Sequence, residues 1–211
     1  MKILSISDVV IPFIYSAQVR SLFADVDLVV SCGDLPYTYL EYIISMLDIP
    51  LFFVRGNHDL VKDTFPGGKR CQPFGGIDLH RRIVRVSEIS LAGVDGSLRY
   101  KPNGSFQYTQ GEMWKHVFKL IPGMMHNRLV TGKYLDIFIT HAPPWGTHDR
   151  TDKPHQGIKA FSWLNSVFHP SYHFHGHIHL YRPDAQITTM VGSTLIVNTF
   201  GYHETTWENL N

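Results

Sequence analysis

Five short apolar runs recur along the chain, and each ends abruptly in polar side chains of the types that ligate metals. The runs are KILSIS before Asp8, DLVVSC before Gly33-Asp34, LFFV before the segment RGNHD, LDIFIT before His141, and YHFH before Gly176. Each run has the length of a buried strand, and its lack of polar alternation is typical of a strand covered on both faces. The pattern therefore predicts strands that carry their polar residues at one end.

Stretches of helical character lie between these runs, roughly at residues 16–23, 40–47, 110–120 and 160–168. Repeated strand, loop, helix and strand segments indicate a largely parallel sheet. Ligands bind at the carboxyl ends of the strands in such sheets, so we expect all five polar tips to meet at one rim.

Two further stretches, residues 81–96 and 187–202, are typical of hairpin-forming strands, with Gly96 and Gly192 as the turn residues. They would build a second sheet or extend the edges of the first. Residues 65–76 and 100–105 are interpreted as loops.

Length and composition predict one globular domain spanning residues 1–211, since the chain is 44% hydrophobic and shows no linker-like segment. The net charge of +1 gives no strong sign of nucleic-acid binding. The first apolar run is interrupted by Asp8 and is too short for a secretory signal, and no run reaches the length of a membrane span. The two cysteines, Cys32 and Cys71, cannot form a disulfide framework. We therefore expect a cytoplasmic enzyme or binding protein.

The segment HFHGHIH places four histidines at alternating positions. His173 and His175 would share one face of a strand, and packing is the favoured interpretation of both. Gly176 indicates a bend, beyond which His177 and His179 would converge. Convergent neutral imidazoles indicate a metal site.

The ordered set of these motifs resembles the calcineurin-like metallophosphoesterases over nearly the whole chain. The matching segments are Asp8, Gly33-Asp34, Gly56-Asn57-His58-Asp59, His141 and Gly176-His177-Ile178-His179. The resemblance implies an α/β fold, a four-layer αββα sandwich of two mixed β-sheets flanked by helices. It also implies a metal-dependent hydrolase of a small phosphoester, either a phosphodiesterase or a phosphatase.

Phosphoester hydrolysis explains why such residue types are needed. Two metal ions about 3.5–4 Å apart can activate a hydroxide and stabilise the charge that develops on the phosphoryl oxygens. The resemblance implies that Asp34 bridges the ions and that His58 is the catalytic general acid or charge stabiliser, with Asp59 orienting it; a packing role for His58 is the alternative. The implied ligands of one ion are Asn57, His141 and His177, and those of the other are Asp8 and His179. Mixed oxygen and nitrogen ligands favour manganese, iron, zinc or cobalt over calcium.

The sequence departs from the family pattern at Val10, where the family has a histidine two residues after the first aspartate. Since valine cannot bind a metal, we expect the first ion to bind weakly. The site would be catalytic with three protein ligands, be completed by another side chain, or have lost its ion. Candidates to complete it lie in the loop after His141: His148, Asp149, Asp152 and His155.

Val10 also supports an alternative function, a non-catalytic metal-containing scaffold that binds a phosphorylated ligand or a protein partner. Tyr37 is close enough in sequence to the Gly33-Asp34 motif to line the same cleft. Two roles are open for Arg55: contact with phosphate, or packing beneath the segment GNHD. Packing is the favoured interpretation.

Overall fold

Two mixed β-sheets lie face to face in the computed structural model, which describes residues 1–182 and 184–208. The first sheet contains β1 (Lys2–Ser7), β2 (Leu28–Ser31), β3 (Leu51–Phe53), β6 (Ile77–Asp78) and β15 (Gly201–Thr206). Its order is β15-β1-β2-β3-β6, and all neighbours are parallel except β15 and β1. The parallel strands therefore bring the ends of β1, β2 and β3 to one edge.

The second sheet has the order β13-β14-β12-β11-β8-β7. Its strands are β7 (Ile83–Val86), β8 (Ile89–Val94), β11 (Ile137–Thr140), β12 (Tyr172–His175), β13 (Thr188–Val191) and β14 (Thr194–Asn198). The four central strands are parallel, and β7 and β13 are antiparallel edges. Two small pairs complete the strands: β4 (Asp63–Phe65) with β5 (Gly68–Arg70), and β9 (Ser97–Leu98) with β10 (Gln107–Tyr108).

The helices are α1 (Val19–Leu22), α2 (Tyr37–Leu47), α3 (Gln110–Phe118), α4 (Ile121–Thr131) and α5 (Lys159–Phe168). The helix α3 begins with a capping box between Thr109 and Glu112. The helix α4 is absent from the sequence prediction because Pro122 and Gly123 hide its helical signal. Proline is tolerated in a first turn, whose N–H groups need no helical partner, and Gly132 in the left-handed conformation ends the helix.

Alternating strand residues face different cores, and this alternation produces the four layers. On β1, Ile3 faces the core between the sheets, whereas Leu4 faces α1 and α2. On β11, Ile137 joins the central core and Phe138 packs with α3, α4 and α5. The predicted four-layer αββα sandwich is therefore confirmed.

The strand and helix pattern alone predicted a largely parallel sheet; the structure divides the five runs between two sheets, as the family resemblance implied, and the central strands of each sheet are parallel. Three of them become β1, β2 and β3, and the other two become β11 and β12. A run without alternating polar residues indicates a strand that is buried on both faces. A strand in either of two stacked sheets can be buried in this way, so the run does not show how many sheets there are.

The hairpin predictions are partly right. Gly192 lies between β13 and β14 with φ +61°, as expected, whereas the turn between β7 and β8 contains Ser87, and Gly96 follows β8. The predicted loop at residues 65–76 contains part of the β4–β5 hairpin. Within the described part of the chain, no helix has the length and apolar character needed to cross a bilayer.

We predict that Leu91→Ala lowers the free energy of unfolding by about 2–5 kcal/mol, because Leu91 is fully buried between the sheets and its truncation leaves a cavity. The matched change Leu129→Ala, on the α4 surface at 85% exposure, should cost less than about 0.5 kcal/mol. Urea unfolding followed by tryptophan fluorescence measures both values. Equal losses would contradict the central position of Leu91.

Candidate metal centre

Four predicted metal ligands meet around one nitrogen, Nε2 of His141. The Asp34 Oδ2 atom lies 3.2 Å from it, the Asn57 Oδ1 atom 3.0 Å and the His177 Nδ1 atom 3.1 Å. Potential ligand atoms of Asp34, His141 and His177 all lie within 4.8 Å of one another. The ends of four different strands thus place two imidazoles, a carboxylate and an amide at one point.

Hydrogen bonds outside this cluster fix which atoms point into it. The His141 Nδ1–H donates to the carbonyl of Cys32 at 2.8 Å, and the His177 Nε2–H donates to the carbonyl of Pro154 at 2.8 Å. The Asn57 amide nitrogen donates to the Tyr100 hydroxyl at 3.1 Å, so the amide oxygen faces inward. When His141 is neutral, these partners leave the lone pairs of two nitrogens and an amide oxygen beside the Asp34 carboxylate, a donor set that suits a transition metal.

The charges in the cluster also favour a cation. Burial lowers the pKa of His141, but the adjacent Asp34 carboxylate outweighs it and raises this pKa to about 9. Burial acts to raise the pKa of Asp34, but His141 overrides it and the value falls to about 2. Burial, followed by repulsion from His141, lowers the pKa of His177 to about 4. In the absence of metal a proton takes the place where a divalent ion fits, so ion binding would release it.

The site loops adopt a backbone that ordinary residues rarely use. Asp8, Asp34 and His177 have φ values of +65°, +57° and +67°. A Cβ atom on Gly56 would lie 2.0 Å from Asp34 Oδ1 and 2.7 Å from His141 Cε1, so only glycine fits there. Strain of this kind persists where the surrounding structure enforces it, which is common at functional sites.

Asp59 supports the backbone of the site. Its Oδ2 atom accepts from the Gly56 N–H at 2.6 Å and from the Asp34 N–H at 3.0 Å, instead of orienting the ring of His58 as expected. Burial and then repulsion from Asp34 raise the pKa of Asp59 to about 6. The two glycine-containing loops are therefore joined through one carboxylate.

His58 extends from the same loop into solvent. Its backbone N–H donates to Asp34 Oδ1 at 2.7 Å, and its side chain lines a cavity of about 420 Å³ next to the metal cluster. Tyr37 also lines this cavity, as predicted. Arg55 is paired with Asp78 at 2.8 Å beneath the loop, which agrees with the packing interpretation.

The residues predicted for the other ion are close together but less compact. The His179 Nε2 atom lies 3.6 Å from Asp8 Oδ1, and the Asp8 carboxylate is also held by the His177 backbone N–H at 3.0 Å. The His179 side chain is 44% exposed, and its Nδ1 atom bonds to the Tyr181 hydroxyl at 2.8 Å. Val10 is half-buried against the apolar core beneath α1 and α2, where it offers no ligand.

The loop after His141 brings only part of its polar residues to the cluster. The His148 Nδ1 atom bonds to His175 Nε2 at 2.8 Å, and Asp149 accepts from backbone N–H groups of its own loop. The ring centroid of His155 lies 5.3 Å from that of His177, and the His155 Nδ1 atom is paired with the Asp152 carboxylate.

The packing interpretation of His173 and His175 is confirmed. Both are fully buried, and His173 bonds to Thr140 at 2.8 Å and to Asn165 at 2.9 Å. Sequence reasoning missed Tyr100 and the carbonyls of Cys32 and Pro154, for which no motif exists. It also missed the β4–β5 hairpin, although the turn residues Pro66-Gly67-Gly68 between DTF and KR are a usable signal.

Comparison with known proteins agrees with this architecture. An uncharacterized protein of Methanocaldococcus jannaschii is 24% identical over 94% of this chain and 87% of its own length. The fold is shared with TT1561 of Thermus thermophilus, at a TM-score of 0.59, 15% identity and coverage of 95% of this chain and 89% of that one. It is also shared with Plasmodium GAP50, an inner-membrane-complex anchor, at a TM-score of 0.53, 14% identity and coverage of 94% of this chain and 70% of that one. The family model described as calcineurin-like phosphoesterase matches residues 1–181, and the chain therefore belongs to that family.

Proposed function

We propose that this protein is a metal-dependent hydrolase of small phosphoesters. The observation that carries the proposal is the convergence of Asp34, Asn57 and His177 on His141 Nε2, at 3.0–3.2 Å, beside a cavity that contains His58. Divalent ions such as manganese, iron, zinc or cobalt, when bound, lower the pKa of water and stabilise charge on phosphoryl oxygens. The substrate can be a monoester or a diester.

In this proposal Asn57, His141 and His177 would hold one ion, Asp8 and His179 would hold the other, and the Asp34 carboxylate would be shared between them. Asn57 contributes a neutral oxygen, which limits the negative charge that an anionic substrate would meet. The Cys32 and Pro154 carbonyls keep the two imidazoles in the tautomers that bind metal.

The cytoplasm is the location that we propose for this activity. Cys71 is an exposed free thiol, and Cys32 is a buried one. Free thiols persist in reducing compartments, so the exposed thiol of Cys71 supports this location.

His58 is proposed to protonate the leaving group. Hydrolysis joins a water oxygen to phosphorus and breaks the bond from phosphorus to the leaving oxygen, which then needs a proton. The His58 ring is exposed at the cavity, and its backbone is fixed by the bond to Asp34. A general acid of this kind contributes most when the leaving group is a weak acid.

A second candidate is a scaffold that binds one ion and a phosphorylated ligand without turnover. It is supported by the looser pairing of Asp8 with His179 and by the apolar packing of Val10. Assays of bis-p-nitrophenyl phosphate and p-nitrophenyl phosphate with added manganese separate the two functions. Absence of turnover with several metals, despite a bound ion, would favour the scaffold.

We predict that His141→Asn weakens binding of the tighter ion by at least about 10- to 100-fold, because losing a ligand should cost no less than losing a ligand's hydrogen-bond partner. Turnover should be lost with it. Metal content after dialysis, measured by mass spectrometry, is compared with that of His126→Asn, a change of an exposed histidine on α4. Unchanged metal content in a folded His141→Asn protein would refute the cluster as the ion site.

His58→Asn should lower kcat roughly 100- to 10,000-fold for alkyl phosphoesters, whose leaving oxygen needs a proton, and much less for p-nitrophenyl esters. Metal content should not change, because the backbone N–H that holds Asp34 is retained. Equal losses for both classes of ester would argue against proton donation by His58.

Val10→His should raise the metal content toward two ions per chain by restoring an imidazole near Asp8. The matched control Val9→His places the same side chain one residue earlier, at a position that is 38% exposed. Metal analysis that finds two tightly bound ions in the unmodified protein would mean that another residue already completes the site.

A further inference from the structure

The cavity beside the metal cluster continues from the site into an apolar chamber. It begins at Asp34 and His58, and its other walls come from the start of α2 and the β4–β5 hairpin. Apolar side chains form much of this wall: Leu35, Pro36, Tyr37, Leu60, Phe65 and Pro66. A group that leaves the phosphorus on the His58 side would enter this chamber.

The chamber offers no available permanent positive charge. Among its described lining residues only Arg70 is permanently cationic, and its guanidinium is paired with Glu41 and with Asp63, the latter at 2.7 Å. The same guanidinium lies 5.4 Å from the ring centroid of Phe65 and 5.6 Å from that of Tyr37. Arg70 therefore serves to hold the hairpin against α2.

The three carboxylates of the lining offer an anionic group no counter-charge: Asp34 belongs to the metal cluster, Asp59 accepts two backbone N–H groups, and Asp63 is paired with Arg70. An anionic group in the chamber would lose its hydration without a compensating cation. An uncharged aromatic or aliphatic group would instead bury apolar surface at little cost.

We propose that this chamber selects phosphoesters whose leaving group is an uncharged apolar alcohol or phenol; the proposal rests on the hydrolase function proposed above. In the step concerned, water oxygen bonds to phosphorus, the bond to the leaving oxygen breaks, and the alcohol or phenol takes a proton from His58. Leu60 is the position at which this preference can be changed without disturbing the core, because it lines the chamber and is 57% exposed.

The test uses two esters that differ in one charge, 4-(methoxycarbonyl)phenyl phosphate and 4-carboxyphenyl phosphate, each as a monoester and as a methyl diester. The metal-loaded full chain should hydrolyse the neutral member with a kcat/KM higher by about tenfold or more. Leu60→Lys should lower the ratio of the two kcat/KM values, neutral ester over charged ester, by at least about fivefold, because the lysine supplies a free cation to the chamber. Val61→Lys is the matched control, since Val61 is 54% exposed and is absent from the lining, and it should leave the ratio unchanged.

A ratio near one in the unmodified protein, or equal changes in the two lysine variants, would overturn the proposal while leaving the hydrolase function intact. If neither ester is hydrolysed, the hydrolase function fails, and the chamber is then judged by binding alone. Methyl 4-hydroxybenzoate should shift the Leu60 methyl resonances and 4-hydroxybenzoate should not. Failure of the neutral phenol to bind would overturn the assignment of the chamber.

Discussion

The site depends on the contacts made by the Asp34 carboxylate. One of its oxygens lies 3.2 Å from His141 Nε2, and the other accepts the His58 N–H at 2.7 Å. Its own backbone N–H is held by the Asp59 carboxylate, which also holds Gly56. A negative charge that is largely removed from water is costly unless a cation lies beside it. Without a metal ion, a protonated His141 supplies this positive charge, which is why its pKa is raised.

The fold supplies the rigidity that such a cluster requires. Side chains between the sheets are buried, and strand ends from both sheets meet at the rim where the strained residues Asp8, Asp34 and His177 lie. Strain of roughly 1–3 kcal/mol per residue is tolerated there because the strands behind each loop are fixed by packing. The buried strands thus stabilise the fold, and the loops at their ends hold the proposed metal ligands.

The sequence predicted the strand ends well, because at each end an apolar run is followed directly by a polar residue, and both features can be read from a few neighbouring residues. The runs place Asn57, His141 and His177 after strand ends, the family resemblance implies that they are ligands of one ion, and the structure brings them together around one nitrogen. The division into two sheets did not follow from the runs themselves, since burial on both faces is the same in one sheet or two; it followed only from the family resemblance. Tyr100, Cys32 and Pro154 act through a hydroxyl and backbone carbonyls, and such contacts depend on tertiary position and leave no trace in residue spacing.

The hydrogen bond from His141 to the Cys32 carbonyl has a mechanical consequence. Cys32 follows β2 in the first sheet, and His141 follows β11 in the second, so this bond spans the two stacked sheets. Asp34 lies in the same loop as Cys32, so the bond to the Cys32 carbonyl and the 3.2 Å contact with Asp34 join both ring nitrogens of His141 to the first sheet. The position of His141 relative to the other ligands is therefore set by how the two sheets pack on each other.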